Sequence, residues 1–161
     1  MRLPFARRDY LLERLQRDDS AQIAGLHRED FARPWSPAEF TALIDQDTVF
    51  GFVAHEVGHR QQLAGFVLSR LAADEAEILT VAVARTHRRQ GIGRDLMEAV
   101  MRELHGARAS HLMLEVDETN LPAVALYRRL GFSQVGKRPG YYAGTQGKPA
   151  TGALVMRRDL R

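Results

Sequence analysis

Residues 77–94, Glu-Ile-Leu-Thr-Val-Ala-Val-Ala-Arg-Thr-His-Arg-Arg-Gln-Gly-Ile-Gly-Arg, constrain the fold more than any other stretch of the chain. The run Ile78 to Val83 is rich in β-branched residues and lacks polar alternation, which predicts a strand buried on both faces. It breaks into a basic, glycine-containing turn. Beyond the turn Ile92, Leu96, Ala99, Val100 and Leu104 recur at helical spacing, so a helix is expected from near Gly91 to about His105. The first turn of a helix leaves backbone N–H groups unpaired, and together with the helix dipole these favour a negative charge. Gly91 and Gly93 would let that backbone approach a ligand closely, while Arg88, Arg89 and Arg94 would add mobile cations. The implied ligand is a phosphate or pyrophosphate.

Two common phosphate motifs do not fit. A Walker loop requires G-x-x-x-x-G-K-[ST] and a dinucleotide fingerprint requires G-x-G-x-x-G, whereas Gly91-Ile92-Gly93-Arg94-Asp95-Leu96 lacks both the third glycine and the Lys-Ser/Thr pair. From these residues alone, a specific anion cradle and a solvated basic turn both remain open.

At 161 residues the chain is expected to form a single α/β domain over residues 1–161, with residues 1–9 as a loose leader. It has no signal peptide and no apolar run of membrane-spanning length, so a soluble cytoplasmic protein without a membrane partner is expected. With no cysteine, a disulfide framework, a thiolate metal site and a cysteine acyl-enzyme are excluded. The formal charge is +3, and all basic residues except Lys137 and Lys148 are arginine. Those arginines are dispersed among Asp and Glu without a nucleic-acid-binding signature, so direct nucleic-acid binding is not expected.

Tyr10–Gln16 is read as a first strand. Asp18, Asp19 or Ser20 can cap a helix carrying Ile23, Leu26 and Phe31, and Ser36-Pro37-Ala38-Glu39 forms a capping box for a second helix ending near Asp45. Val49–His55 and Leu63–Leu71 are expected to be strands joined by the polar turn 56–62. That turn contains His55-Glu56-Val57-Gly58-His59, which satisfies H-E-x-x-H. The zinc pattern works only on a helix, where both histidines share one face. In a hairpin they do not, so no metal is expected and a zinc peptidase is disfavoured.

His111–Val116 is a further strand, interrupted by Glu115. A carboxylate in an apolar strand faces solvent, pairs, or sits in a cleft as a candidate base, and a plain edge-strand glutamate is the alternative. Asn120-Leu121-Pro122 starts another helix that stops at Gly131. Phe132–Lys137 and Ala153–Asp159 are the last two strands. The order β-α-α-β-β-β-α-β-α-β-β predicts a central mixed sheet flanked by helices.

Arg88-Arg89-Gln90-Gly91-Ile92-Gly93 resembles the R/Q-x-x-G-x-G/A signature of the GNAT acetyltransferases. Leu114-Glu115-Val116 through Asn120, then Ala123-Val124-Ala125-Leu126-Tyr127 and Leu130-Gly131-Phe132, resemble a second segment of the same family in the same order. The resemblance implies the GNAT fold and acetyl-CoA as cosubstrate. It places the pyrophosphate against Arg88, Arg89, Gln90, Gly91, Ile92, Gly93 and Arg94, the pantetheine along Val81, Ala82 and Val83, and a further cofactor contact at Asn120. Pro34-Trp35-Ser36, the Glu115 strand, and Arg138 with Tyr141-Tyr142 resemble, within that family, the RimI group of ribosomal-protein-alanine N-acetyltransferases. This implies a protein N-terminus as acceptor, in that group one from a ribosomal protein, with Glu115 as general base and Tyr127 as general acid. Trp35, Tyr141 and Tyr142 become candidate substrate contacts, although Trp35 could equally be a core anchor and the tyrosine pair a hydrophobic hairpin face. The chain departs from the group at Asp117, where a basic residue is usual, and at residues 149–152, where acidic residues are usual. Both departures bear on the acceptor.

The alternatives are a GNAT acting on a small-molecule amine or lysine, and a non-catalytic acyl-CoA-binding module. An ammonium cannot attack a thioester, so direct transfer needs a base for the amine and a proton for the thiolate. A strand N–H near Val81 or Val83 could polarise the thioester carbonyl.

Overall fold

A computed structural model describes residues 9–142, 144 and 147–161. The expected leader, residues 1–9, lies outside the described residues except for Asp9.

The described chain runs β1 (Tyr10–Arg14), a 3-10 turn (Arg17–Asp19), α1 (Ser20–Asp30), α2 (Pro37–Ile44), β2 (Val49–Glu56), β3 (Leu63–Ala72) and β4 (Glu75–Val83). It continues through a second 3-10 turn (Arg85–His87), α3 (Ile92–Gly106), β5 (His111–Asp117), α4 (Leu121–Arg129), β6 (Ser133–Tyr142) and β7 (Thr151–Asp159). Apart from the two 3-10 turns this is the expected order. The strands form one seven-stranded mixed sheet, ordered β1-β2-β3-β4-β5-β7-β6. β4 pairs in parallel with β5 only over Glu75↔His111, Ala76↔Leu112 and Glu77↔Met113, whereas β5 pairs antiparallel with β7 along its whole length.

Packing divides the chain into two compact units, with crossings after Leu68, Leu79 and Val100. In the first, Ile23, Phe40, Phe66, Ile92 and Leu96 are fully buried. The second has its own buried set in Leu104, Leu112, Leu114, Phe132 and Met156.

The helix starts follow from their caps. Ser36 Oγ accepts the Glu39 N–H at 3.1 Å ahead of Pro37, and Asn120 Oδ1 accepts the Ala123 N–H at 3.3 Å ahead of Pro122.

Three expectations are corrected. β4 is not buried on both faces: Ala76, Thr80 and Ala82 are buried while Leu79, Val81 and Val83 are only partly covered, an alternation that the uniformly apolar sequence conceals. Glu115 is not on an edge strand, because β5 lies between β4 and β7. β6 also runs five residues past Lys137, through Pro139 and Gly140, by shifting its register against β7 between Arg138 and Tyr142. Proline cannot donate to a ladder, but β6 is the edge strand and Pro139 sits in the irregular segment, where the missing donor costs little.

Candidate functional site

The predicted site residues fall into two groups, one in each unit.

In the first unit β4 delivers the chain to Ala84, whose N–H donates to Ala64 O at 2.7 Å. After the 3-10 turn Arg89 adopts φ +62° and Gly91 φ +80°. Gly91 O then accepts the Asp95 N–H at 3.0 Å, closing the first turn of α3. The N–H groups of Ile92, Gly93 and Arg94 therefore have no acceptor within the helix, as at any helix start. The two glycines do different work. Gly91 supplies a left-handed backbone that side-chain-bearing residues adopt only at a cost, whereas Gly93 lies inside α3 and has no positive φ, so its contribution is its small size.

The arginines are less mobile than expected. Arg88 Nη2 is held by Asp30 Oδ1 at 2.5 Å and Arg94 Nε by Glu98 Oε1 at 3.0 Å. Arg85 binds the C-terminal end of α1 through its N–H to Glu29 Oε1 at 3.2 Å and its guanidinium to Glu29 O. His87 Nδ1 is 2.8 Å from the Tyr10 hydroxyl. Among the described residues Arg89 has no ion-pair partner, and it is exposed. The turn is thus fastened to α1 and β1 by side chains that the motif does not contain. Sequence reading missed Glu29 and Asp30, because their partners lie 56 and 58 residues away.

Trp35 sits in an aromatic cluster. His27 stacks on Phe31 with ring centroids 4.0 Å apart and on Trp35 at 5.0 Å, and it meets Phe40 edge-on at 5.3 Å. His27 Nδ1 accepts the Trp35 N–H at 3.0 Å. Burial pushes the imidazole down to about 4, against the opposing pull of Asp30, so it stays neutral and able to accept near neutral pH. This arrangement makes Trp35 an anchor for the segment between α1 and α2.

The H-E-x-x-H match falls on the end of β2 and the following turn. His55 is buried in the strand, His59 is exposed, and the His59 N–H closes the turn onto Glu56 O at 2.9 Å. His55 Nε2 lies 3.4 Å from Glu13 Oε1, which is not a well-formed hydrogen bond. The two histidines do not share a helical face.

In the second unit Glu115, about one-quarter exposed, pairs through Oε1 with Arg138 Nη2 at 2.9 Å. The Arg138 guanidinium lies 5.4 Å from the Tyr141 ring centroid, and Tyr141 meets Tyr142 edge-on at 5.1 Å. The register shift and Gly140, at φ +65°, allow Arg138, Tyr141 and Tyr142 to converge although they are close neighbours on one strand. Burial, then the Asp117 and Glu115 carboxylates and Tyr141, push the Tyr142 phenol up to about 12. Tyr127, on α4, is buried and packs against Phe132 at 5.9 Å. Burial, reinforced by Tyr142, pushes its phenol up to about 12, and among the described residues its hydroxyl has no hydrogen-bond partner. Glu115, Tyr127, Tyr141 and Tyr142 therefore form one neighbourhood. Asn120 caps α4, and its side-chain amide N–H groups are not used by the cap.

Asp117 has a different occupation from the one its position suggested. Its Oδ1 accepts the Thr119 N–H at 2.9 Å and hydroxyl at 2.7 Å, and its Oδ2 accepts the Thr151 hydroxyl at 2.8 Å. Partial burial raises the carboxyl, but these hydrogen bonds outweigh it and leave it below its ordinary value. Asp117 ties the turn after β5 to β7. Glu118 adds to the tie through the Gly152 N–H at 3.1 Å and Lys137 Nζ at 2.7 Å.

The sequence profile of the acetyltransferase (GNAT) family matches residues 20–132. The ribosomal protein bS18-alanine N-acetyltransferase of Escherichia coli K12 is 30% identical over 142 residues, covering 88% of this chain and 92% of the relative. An N-alpha-acetyltransferase RimI of Mycobacterium tuberculosis is 34% identical over 153 residues, covering 90% and 89%. The crystal structure of the E. coli ribosomal-protein-S18-alanine N-acetyltransferase superposes with a TM-score of 0.85 over 94% of both chains at 29% identity. Arabidopsis thaliana NAA60, solved in complex with acetyl-CoA, shares the fold with a TM-score of 0.80 over 94% of this chain and 98% of its own, at 21% identity.

Proposed function

Because the chain belongs to the GNAT acetyltransferase family, we propose that it transfers the acetyl group of acetyl-CoA to the α-amine of a protein N-terminus, with the N-terminal alanine of a ribosomal protein as the first candidate. We read residues 1–161 as one catalytic domain acting in the cytoplasm. The start of α3 offers its free N–H groups to the pyrophosphate, with Arg88, Arg89, Gln90 and Arg94 around it and Gly91, Ile92 and Gly93 as the backbone surface. The partly covered side chains of Val81 and Val83, with the Ala82 backbone between them, suit the pantetheine arm, and the spare amide of Asn120 suits a polar contact with it.

One observation supports the chemistry: the partly buried carboxylate Glu115 and the buried phenol Tyr127 both lie within electrostatic reach of Tyr142. Glu115, directly or through water, takes a proton from the incoming ammonium, whose reference pKa of about 8 makes it an easier acceptor than lysine at about 10.4. Tyr127 is a reluctant acid. Complete transfer from a phenol near 12 to a thiolate whose conjugate acid is near 8.5 is uphill by about 5 kcal/mol. Its hydroxyl therefore serves the departing sulfur chiefly as a hydrogen-bond donor, and the proton released by the amine balances the thiolate. Trp35, Tyr141 and Tyr142 are offered as acceptor-side contacts.

The test is CoA release with N-terminal peptides, lysine peptides and polyamines. N-terminal peptides should be preferred, and Glu115→Gln should lose most activity near neutral pH with partial recovery at high pH, where the amine arrives deprotonated. Preference for polyamines or lysine would replace the acceptor. Binding without turnover of any amine would make the chain an acyl-CoA-binding module.

A further inference from the structure

Asp30 is the last residue of α1, and the residue before it, Glu29, is also acidic. The C-terminal end of a helix carries partial negative charge, so two carboxylates there are unfavourable unless cations offset them. Of the last turn's own basic residues, burial keeps His27 neutral near neutral pH, and Arg28 forms no ion pair among the described residues. The turn before α3 supplies the cations instead. Arg88 Nη2 meets Asp30 Oδ1 at 2.5 Å, Arg85 Nε lies 3.9 Å from the same oxygen, and the Arg85 guanidinium donates to Glu29 O. The same turn of α1 holds Trp35. His27, three residues before Asp30 and within its electrostatic reach, accepts the Trp35 N–H at 3.0 Å and stacks on the indole at 5.0 Å. Asp30 therefore stands between Arg88, a proposed phosphate ligand, and the anchor of Trp35.

We propose that Asp30 is an internal rival of the acetyl-CoA phosphates, which competes with them for Arg88 and so couples the pyrophosphate turn to the α1 turn that anchors Trp35, an inference that rests on the reading of the α3 start as the pyrophosphate site. A phosphate that takes Arg88 leaves the Asp30 charge offset only by Arg85, at the longer distance and at the helix end where a carboxylate is disfavoured. If the guanidinium bridges both anions instead, carboxylate and phosphate face each other across it as like charges, so Asp30 opposes binding either way. Occupancy of the pyrophosphate turn thus weakens the last turn of α1. By reciprocity, removing the Asp30 charge favours acetyl-CoA.

The experiment measures CoA affinity by calorimetry, together with the emission of Trp35, the one tryptophan of the chain. Asp30→Asn removes the charge but keeps an oxygen that can accept from Arg88. CoA should bind it about three- to fivefold more tightly, the scale of one partly exposed ion pair, and the gain should shrink as salt is raised. In an Arg88→Gln background the same substitution should gain less than about twofold, because the contested cation is gone. CoA should change the wild-type Trp35 emission, pantetheine, which lacks the phosphates, should not, and Asp30→Asn should lose most of the change. Melting temperatures establish that each variant is folded. Unchanged or weaker CoA binding in Asp30→Asn overturns the inference while the pyrophosphate site stands, and so does an equal gain in the Arg88→Gln background. A wild-type emission that ignores CoA, or that answers pantetheine equally, overturns the coupling to Trp35. If pantetheine binds as tightly as CoA, the turn does not hold the phosphates, and the inference falls with that reading.

Discussion

The two groups of site residues are built by different means. At the start of α3 the proposed binding elements are main-chain N–H groups, presented by a turn whose shape depends on Gly91 and in which Arg88 and Arg94 are tied to Asp30 and Glu98. Around Glu115 the proposed elements are side chains from β5, α4 and β6, gathered by contacts such as that of Glu115 with Arg138, 23 positions away. A backbone site is fixed as soon as the helix forms, so it tolerates side-chain changes and resists only changes of backbone shape. A side-chain site depends on every member keeping its partner. Single-atom deletions should therefore be severe around Glu115 and mild around the turn.

The sharpest way to break that contrast is to remove one oxygen. Tyr127→Phe keeps the ring packed against Phe132 and deletes the hydroxyl. With the amine substrate saturating, kcat should fall by about 10²-fold, the scale expected when one hydrogen-bond donor to a developing charge is removed, while acetyl-CoA affinity changes little. The pH profile adds a second reading. With the phenol pushed up to about 12, Tyr127 keeps its proton at every pH below that value, so no loss of wild-type activity below about pH 11 should trace to its ionisation. An unchanged kcat in Tyr127→Phe would make the tyrosine packing alone.

The turn should respond to shape instead. Gly91→Ala forces a Cβ onto a residue at φ +80°, a conformation that costs an L-residue about 1–2 kcal/mol; the free turn should relax away from it, so acetyl-CoA affinity measured by calorimetry should fall about five- to thirtyfold. Gly93→Ala adds the same methyl group within α3, where the backbone is already helical, so any loss there reports crowding of the ligand. Equal losses at both positions would mean that close approach, not backbone shape, sets affinity.

This difference also explains what could be read from the sequence. The α3 turn announces itself in six consecutive residues, because its shape is encoded by local glycine and helix-start chemistry. Element order was equally legible, since Ser36-Pro37 and Asn120-Leu121-Pro122 mark helix starts by local hydrogen bonding. Glu115 stood out as a charge in an apolar run, but nothing local indicated Arg138 as its partner, 23 positions away and beyond the expected end of β6. The Pro139-Gly140 pair marked that region as irregular without revealing that the strand continues through it. Asp117 stood out as a departure bearing on the acceptor, but its hydrogen bonds to Thr119 and to the distant Thr151, which give it a structural task as well, were not visible in the sequence. The burial of β4 was misread because Ile78–Val83 carries no alternating polar residues, and its one hydroxyl, that of Thr80, lies on the buried face.

The smallest effect is expected at Arg94. Its guanidinium is about two-thirds exposed and spends Nε on Glu98, a solvent-screened i,i+4 pair that contributes little to the helix. If the N–H groups of α3 bind the pyrophosphate, Arg94→Ala removes a screened charge beside an intact site, and acetyl-CoA affinity should drop about two- to fivefold at low salt. Raising ionic strength to 0.5 M should reduce the difference between wild type and variant, because an exposed charge is screened while a hydrogen bond to the main chain is not. Glu98→Gln supplies the complement by releasing Arg94 without removing it, and its affinity should equal or slightly exceed that of the wild type. A loss in Arg94→Ala as large as that in Gly91→Ala, persisting at high salt, would mean that the phosphate is held by the side chain, and the backbone description of the turn would have to be abandoned.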